Sequence, residues 1–122
     1  MVSSPEAVVR AALKAVQQAN FVAFDSLLSP EIIYRDPSRE LRGRDAFDRL
    51  VEQSHDGASE MTWETRRIAA EGGIVFTERT DSFRHHGRDF TVDIVGVFVV
   101  GEDGRIAEWR EYFDPSPFRS RL

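Results

Sequence analysis

Three glycine-centred turn signals divide the second half of this chain into four runs rich in apolar and β-branched residues. Gly72-Gly73, Gly87 and Asp103-Gly104 fall between segments 61–70, 74–84, 90–100 and 105–113. Runs of this length and composition, bounded by such residues, predict strands, and gaps this short join strands as antiparallel hairpins. The first half has a different period. Val9, Ala12, Leu13 and Val16 recur at helical spacing behind Ser3-Ser4-Pro5-Glu6. There Ser3 and Glu6 fit a capping box, and proline is tolerated in the first turn. Asn20 closes this helix and caps a second with Phe21, Phe24, Leu27 and Leu28, which Ser29-Pro30 stops. Segment 32–36 predicts a short strand closed by Pro37, and 43–54 a third helix with Phe47, Leu50 and Val51 on one side. Helices first and strands afterwards predict an α+β fold. The expectation is a cone: a curved antiparallel or mixed sheet, helices over its concave face, and a blind pocket between them.

With 122 residues, 41% of them hydrophobic, the chain suits one domain spanning 1–122. Zero cysteine excludes disulfides, thiol nucleophiles, iron–sulfur clusters and most structural zinc sites. The formal net charge of −5 argues against nucleic acid as partner. No apolar run approaches the ~20 residues of a membrane span. The first residues, MVSSPEAVVRAALK, lack the basic-then-apolar order of a signal peptide. A cytoplasmic protein with no membrane partner is the expectation.

Side chains alternate across a strand, which sorts the polar residues by face. In 105–113, Ala107, Trp109, Glu111 and Phe113 share one face, and Ile106, Glu108, Arg110 and Tyr112 the other. In 90–100, Phe90, Val92, Ile94, Gly96 and Phe98 oppose Thr91, Asp93, Val95, Val97 and Val99. Both faces of this strand's second half are apolar, so one covers the core and the other suits a second subunit. In 74–84, Arg79, Asp81 and Phe83 share a face. If Arg79, Asp81 and Glu111 point inward, two carboxylates surround one guanidinium, whose planar fork can serve both. Tyr34 and Asp36, two apart, join them from the first strand. Phe83, Val92, Ile94, Trp109 and Phe113 then supply apolar walls for a small hydrophobic substrate.

The segments Tyr34-Arg35-Asp36, Thr77-Glu78-Arg79-Thr80-Asp81, Gly96-Val97-Phe98, Asp103-Gly104-Arg105-Ile106 and Trp109-Arg110-Glu111-Tyr112-Phe113-Asp114 resemble limonene-1,2-epoxide hydrolases. These belong to the SnoaL-like, nuclear-transport-factor-2-like superfamily. The resemblance runs from about residue 5 to Phe118 and implies the cone fold and a homodimer. It also implies epoxide opening in one step, without cofactor or covalent intermediate. Arg79 and Asp81 match the family's arginine and general acid, and Tyr34 the tyrosine that helps hold the water. Glu111 stands where the family has the aspartate that activates water. Asp36 stands where it has asparagine, and Trp63 where a small aliphatic residue lines its pocket.

Three ionised carboxylates around one arginine would leave a net −2 in low dielectric, so at least one shared proton is expected. The same cone hosts ketosteroid isomerase, in which an Asp shuttles a proton and a protonated Asp with a Tyr holds the oxyanion, and polyketide cyclases. An isomerase or cyclase using Tyr34, Asp36 and Glu111 is therefore a second reading, and a pocket that binds without turnover a third. Asp36 before Pro37-Ser38 also suits the start of a turn. Asp93 falls on the opposite face, as a structural or interface residue. His55, His85 and His86 are expected to be solvated, with His85 and His86 on opposite faces, and no metal is expected. Arg35, Arg39, Arg42 and Arg44 suggest a solvated basic face around a loop.

Overall fold

The computed structural model describes residues 3–119. Ten elements follow in order: α1 (Pro5–Gln17), α2 (Phe21–Ser26), β1 (Leu28–Asp36), β2 (Arg39–Arg42), α3 (Arg44–His55), β3 (Ala58–Glu71), β4 (Ile74–His85), β5 (Arg88–Val100), β6 (Ile106–Tyr112) and α4 (Ser116–Arg119). The strands form one mixed sheet in the order β2-β1-β6-β5-β4-β3. Among the described residues, only the β1–β6 pairing is parallel. This is the expected α+β cone, an open curved sheet with helices on one face. Register shifts in β3, between Ser59 and Thr62 and between Thr65 and Arg67, supply bends.

The predicted helical stripe is buried: α1 turns Val8, Val9, Ala12, Leu13, Ala15 and Val16 inward. Trp109 is the hub of the core. Its ring meets Phe98 at 4.8 Å, Phe47 at 5.1 Å and Phe24 at 5.8 Å, all edge-on. Tyr34 stacks on Phe47 at 4.4 Å. These rings tie β1, β5, β6, α2 and α3 together behind the polar residues.

Local details differ from the sequence reading. Ser4, not Ser3, caps α1, its Oγ accepting from the Ala7 amide, while Glu6 pairs with Arg10 instead of reaching back. Helix α2 ends at Ser26, and Ser29-Pro30 lie inside β1. Proline is tolerated there because strand pairing shifts register between Leu28 and Ile33. The basic run is a solvated face around the 37–38 turn, as expected, though its residues also lie on strands and at the start of α3 and form ion pairs. Arg39 and Arg42 sit on β2, Arg35 and Arg42 both pair with Glu40, and Arg44 with Asp25. In β6, Val99 pairs with Glu108 but Val100 with Ile106, so Ala107 is an extra residue. That bulge turns Ile106 into the core on the same side as Trp109, against simple alternation.

The histidines also differ. His55 is half-buried, and its ring bridges the Val51 carbonyl at 2.9 Å and the Val16 carbonyl at 2.7 Å, joining α3 to α1. The His85 and His86 rings lie edge-to-face at 4.1 Å rather than on opposite faces. His86 and Gly87 both take positive φ, forming a two-residue hairpin turn, and this breaks the strand alternation.

The outer sheet face keeps its apolar character. Phe76 and Val95 are nearly half exposed there. Asp93, on the same face, accepts from Thr80, which also accepts from Arg66. Among the described residues, no helix is long and apolar enough to cross a membrane.

Gly96 sits opposite Thr77 on β4 and Glu111 on β6. A Cβ at Gly96 would lie 2.7 Å from both the buried Phe98 ring and the Thr77 hydroxyl. Gly96→Ala is therefore expected to destabilise the fold by about 1–3 kcal/mol. Denaturant unfolding should show a lower midpoint at unchanged slope.

Candidate active site

Alternation on β4 and β6 brings Arg79, Asp81 and Glu111 to the inner face. Arg79 is fully buried and Asp81 3% exposed. Arg79 Nε donates to Asp81 Oδ1 at 2.6 Å, and Nη2 donates to Asp81 Oδ2 at 3.0 Å. Nη2 also donates to Glu111 Oε2 at 2.6 Å. The Trp109 indole N–H reaches the same Oε2 at 3.2 Å. Both bonds to Glu111 thus fall on one oxygen, and among the described residues no hydrogen bond falls on Oε1. The Trp63 ring lies over the guanidinium, 4.3 Å from Cζ to the ring centroid. Arg79 Nη1 is buried and has no hydrogen-bond partner among the described residues.

Tyr34 and Asp36 form a second group. The Tyr34 hydroxyl donates to Asp36 Oδ2 at 2.7 Å. The Ser38 and Arg39 amides donate to Oδ1, and Arg39 Nε lies 3.4 Å from Oδ2. Asp36 therefore opens the β1–β2 turn and anchors Tyr34 at the same time. It is not a ligand of Arg79, so the expected cluster of three carboxylates around one arginine reduces to two.

Two cavities meet over these residues. The larger, about 370 Å³, is lined by Tyr34, Asp36, Ser38 and Arg39 on its polar side and by rings including Phe47 and Trp109. The smaller, about 130 Å³, is lined by Asp81, Met61, Phe83, Val92 and Ile94. Glu111, Trp63, Phe113, Phe118 and Ser54 line both. Every predicted wall residue lines at least one cavity. Of the five predicted polar residues, Arg79 alone lines neither and lies behind the surface. Sequence reasoning missed Phe118 and Arg39 as cavity residues. Phe118 stands beyond the last strand, and its ring stacks near Phe83 and Phe90. Its only sequence signal was an aromatic residue in a Pro-Ser-Pro-Phe tail.

Burial shifts the ionisation of this group. It raises the Asp81 carboxyl to about 6, against the opposing hydrogen bonds and charge of Arg79, with Glu111 adding to the rise. Burial would lower the Arg79 guanidinium, but Glu111 and Asp81 together hold it above its usual value. Burial, then Glu111 and the bond to Asp36, push the Tyr34 hydroxyl up. Below about pH 6 the Asp81 carboxyl is mostly protonated, and beside a charged guanidinium and a second carboxyl it then has the makings of an acid–base pair.

A sequence profile described as the SnoaL-like domain matches residues 9–109. The chain belongs to the SnoaL-like family. The epoxide hydrolase EphG of Mycobacterium tuberculosis (strain ATCC 25618 / H37Rv) is 34% identical to it over 107 residues, 87% of this chain and 70% of that protein. The solved structure of an M. tuberculosis LEH-like epoxide hydrolase is 30% identical, with a TM-score of 0.81 over 94% of this chain and 86% of that one. A candidate SnoaL-like polyketide cyclase from Shewanella denitrificans OS-217 has a TM-score of 0.86 at 14% identity, over 97% of this chain and 96% of that one. That last similarity shows the SnoaL-like fold alone.

Removing Arg79 would leave Asp81 and Glu111 buried without a counter-charge. Arg79→Met is expected to cost about 3–5 kcal/mol of stability. The loss should be greater at pH 8 than at pH 5, because low pH lets the carboxyls take protons. Urea unfolding at both pH values checks this, and an equal loss at both would contradict it.

Proposed function

We propose that the chain is a cofactor-independent epoxide hydrolase in which one acid and one base act together through Arg79. The observation that carries the reading is the bridge of Arg79 between Asp81 and Glu111, where the two cavities join. The similarity to an epoxide hydrolase in sequence and to an LEH-like epoxide hydrolase in structure supports it.

The epoxide ring would sit at that junction, its oxygen toward Asp81 and its substituents in the two cavities. Asp81 is neutral at mildly acidic pH and donates its proton to the epoxide oxygen as the C–O bond breaks. The Oδ2 contact with Arg79, at 3.0 Å, is the longer of its two, so Oδ2 is the oxygen to carry that proton. Glu111 is held at Oε2 and takes the proton of the attacking water on Oε1. Water oxygen bonds to the ring carbon, and the product is a vicinal diol. The proton gained by Glu111 replaces the one given by Asp81. Tyr34, fixed by Asp36, helps hold the water on the larger-cavity side. The apolar walls exclude bulk water, and a small hydrophobic epoxide fits their chemistry.

The Tyr34–Asp36 pair favours a second reading. A tyrosine bound to a carboxyl beside an apolar cavity suits proton transfer on a carbonyl substrate, as an isomerase or cyclase needs. Such chemistry would run from Tyr34, Asp36 and Glu111.

Asp81→Asn separates the two. On a panel of hydrophobic epoxides, the hydrolase reading expects kcat to fall about 10²–10⁴-fold, with substrate still bound. Wild-type turnover should decline as pH rises through about 6, since Asp81 must carry its proton. Diol formation undiminished in Asp81→Asn would overturn Asp81 as the acid.

A further inference from the structure

We propose that Trp63 is a positioning residue: its indole face covers the Arg79 guanidinium beneath the cavity floor, keeps that cation dry, and so holds the Arg79–Asp81 pair in place. The proposal rests on reading Arg79, Asp81 and Glu111 as the reactive centre.

Three observations carry it. The ring is stacked on the guanidinium, with Cζ 4.3 Å from its centroid. Trp63 is paired across the sheet with Asp81, and Arg79 is its diagonal neighbour through Thr65. On one face of a sheet, such neighbours are within reach of an aromatic side chain. Trp63 also lines both cavities, whereas Arg79 lines neither. The indole therefore lies between the guanidinium and the space a substrate would fill.

The chemistry needs such a cover. Arg79 is completely buried, yet its Nη1 has no acceptor among the described residues. An aromatic face is a favourable contact for a desolvated cation that lacks one. The backbone beneath the ring is anchored: the Trp63 main-chain amide donates to Gln17 Oε1 at 2.8 Å, tying this point of β3 to the end of α1. An aliphatic residue at this position would remove the π face. It would also open space beside polar groups, which water can enter. The charged groups facing Asp81 are Arg79 on its own strand and Glu111 on β6. Burial outweighs both in setting Asp81's ionisation, so water entry should make its carboxyl more acidic.

The test compares wild type with Trp63→Phe and Trp63→Leu. The readout is the titration of the Asp81 carboxyl by carbon-13 NMR without substrate, its signal assigned by loss in Asp81→Asn. Trp63→Leu is expected to lower the midpoint by about one pH unit, while Trp63→Phe, which keeps a π face, stays near wild type. In turnover, Trp63→Leu should lower kcat by about tenfold and shift the basic limb of its pH profile downward. A residue that only touches substrate would move KM alone. Trp63→Met, also without a π face, takes the place of the leucine variant should that not fold. An unchanged Asp81 midpoint in the aliphatic variant overturns the proposal. The titration needs no turnover, so a shifted midpoint in a protein inactive on every epoxide sustains the positioning role and counts against the hydrolase reading alone.

Discussion

A single guanidinium buried behind the cavity surface holds two carboxyl groups that would otherwise repel each other in low dielectric. Arg79 makes this possible because its fork presents Nε and Nη2 to Asp81 and lets Nη2 serve Glu111 as well. A lysine offers a point charge and no such geometry. The pair then divides its labour by environment. Asp81 is deeper and is raised toward neutrality. Glu111 lies where both cavities open and receives the Trp109 N–H as a second donor.

The surrounding fold serves that bridge. Strands β4 and β6 are separated by β5, so Arg79 must reach across a strand to meet Glu111. Gly96 on β5 stands opposite Glu111 and has no room for a side chain among Phe98 and Thr77. The Trp109 hub fixes β6 from below through Phe24, Phe47 and Phe98. Tyr34 is fixed from the helix side by stacking on Phe47 and from the turn by Asp36. Core packing and site geometry thus share the same side chains, and a change in one is felt in the other.

Much of this was legible in the sequence because its signals are periodic. The alternation on 74–84 and 90–100 put Arg79, Asp81, Ile94 and Phe98 on the inner face, where they are. The helical stripe on α1 and the Asn20 cap were equally plain. What escaped were features set by tertiary contact or by a break in period. The bulge at Ala107 reverses Ile106, and nothing local announces it. The β2 strand is short and charged, and it forms only because β1 offers a partner edge. Asp36 carried two signals at once, turn former and candidate site residue, and its carboxylate accepts both from the turn amides and from the Tyr34 hydroxyl. Its separation from Arg79 depends on where β1 lies relative to β4, which no spacing encodes. Phe118 reaches the cavities from a tail with no periodic pattern.

The most direct test of direct water attack is a single turnover in oxygen-18 water with enzyme in excess over a hydrophobic epoxide. Water activated by Glu111 places the label in the diol and none in the protein. An unlabelled diol with oxygen-18 in the Glu111 carboxylate would mean that Glu111 attacks the epoxide itself, and the acid–base account of this site would be wrong.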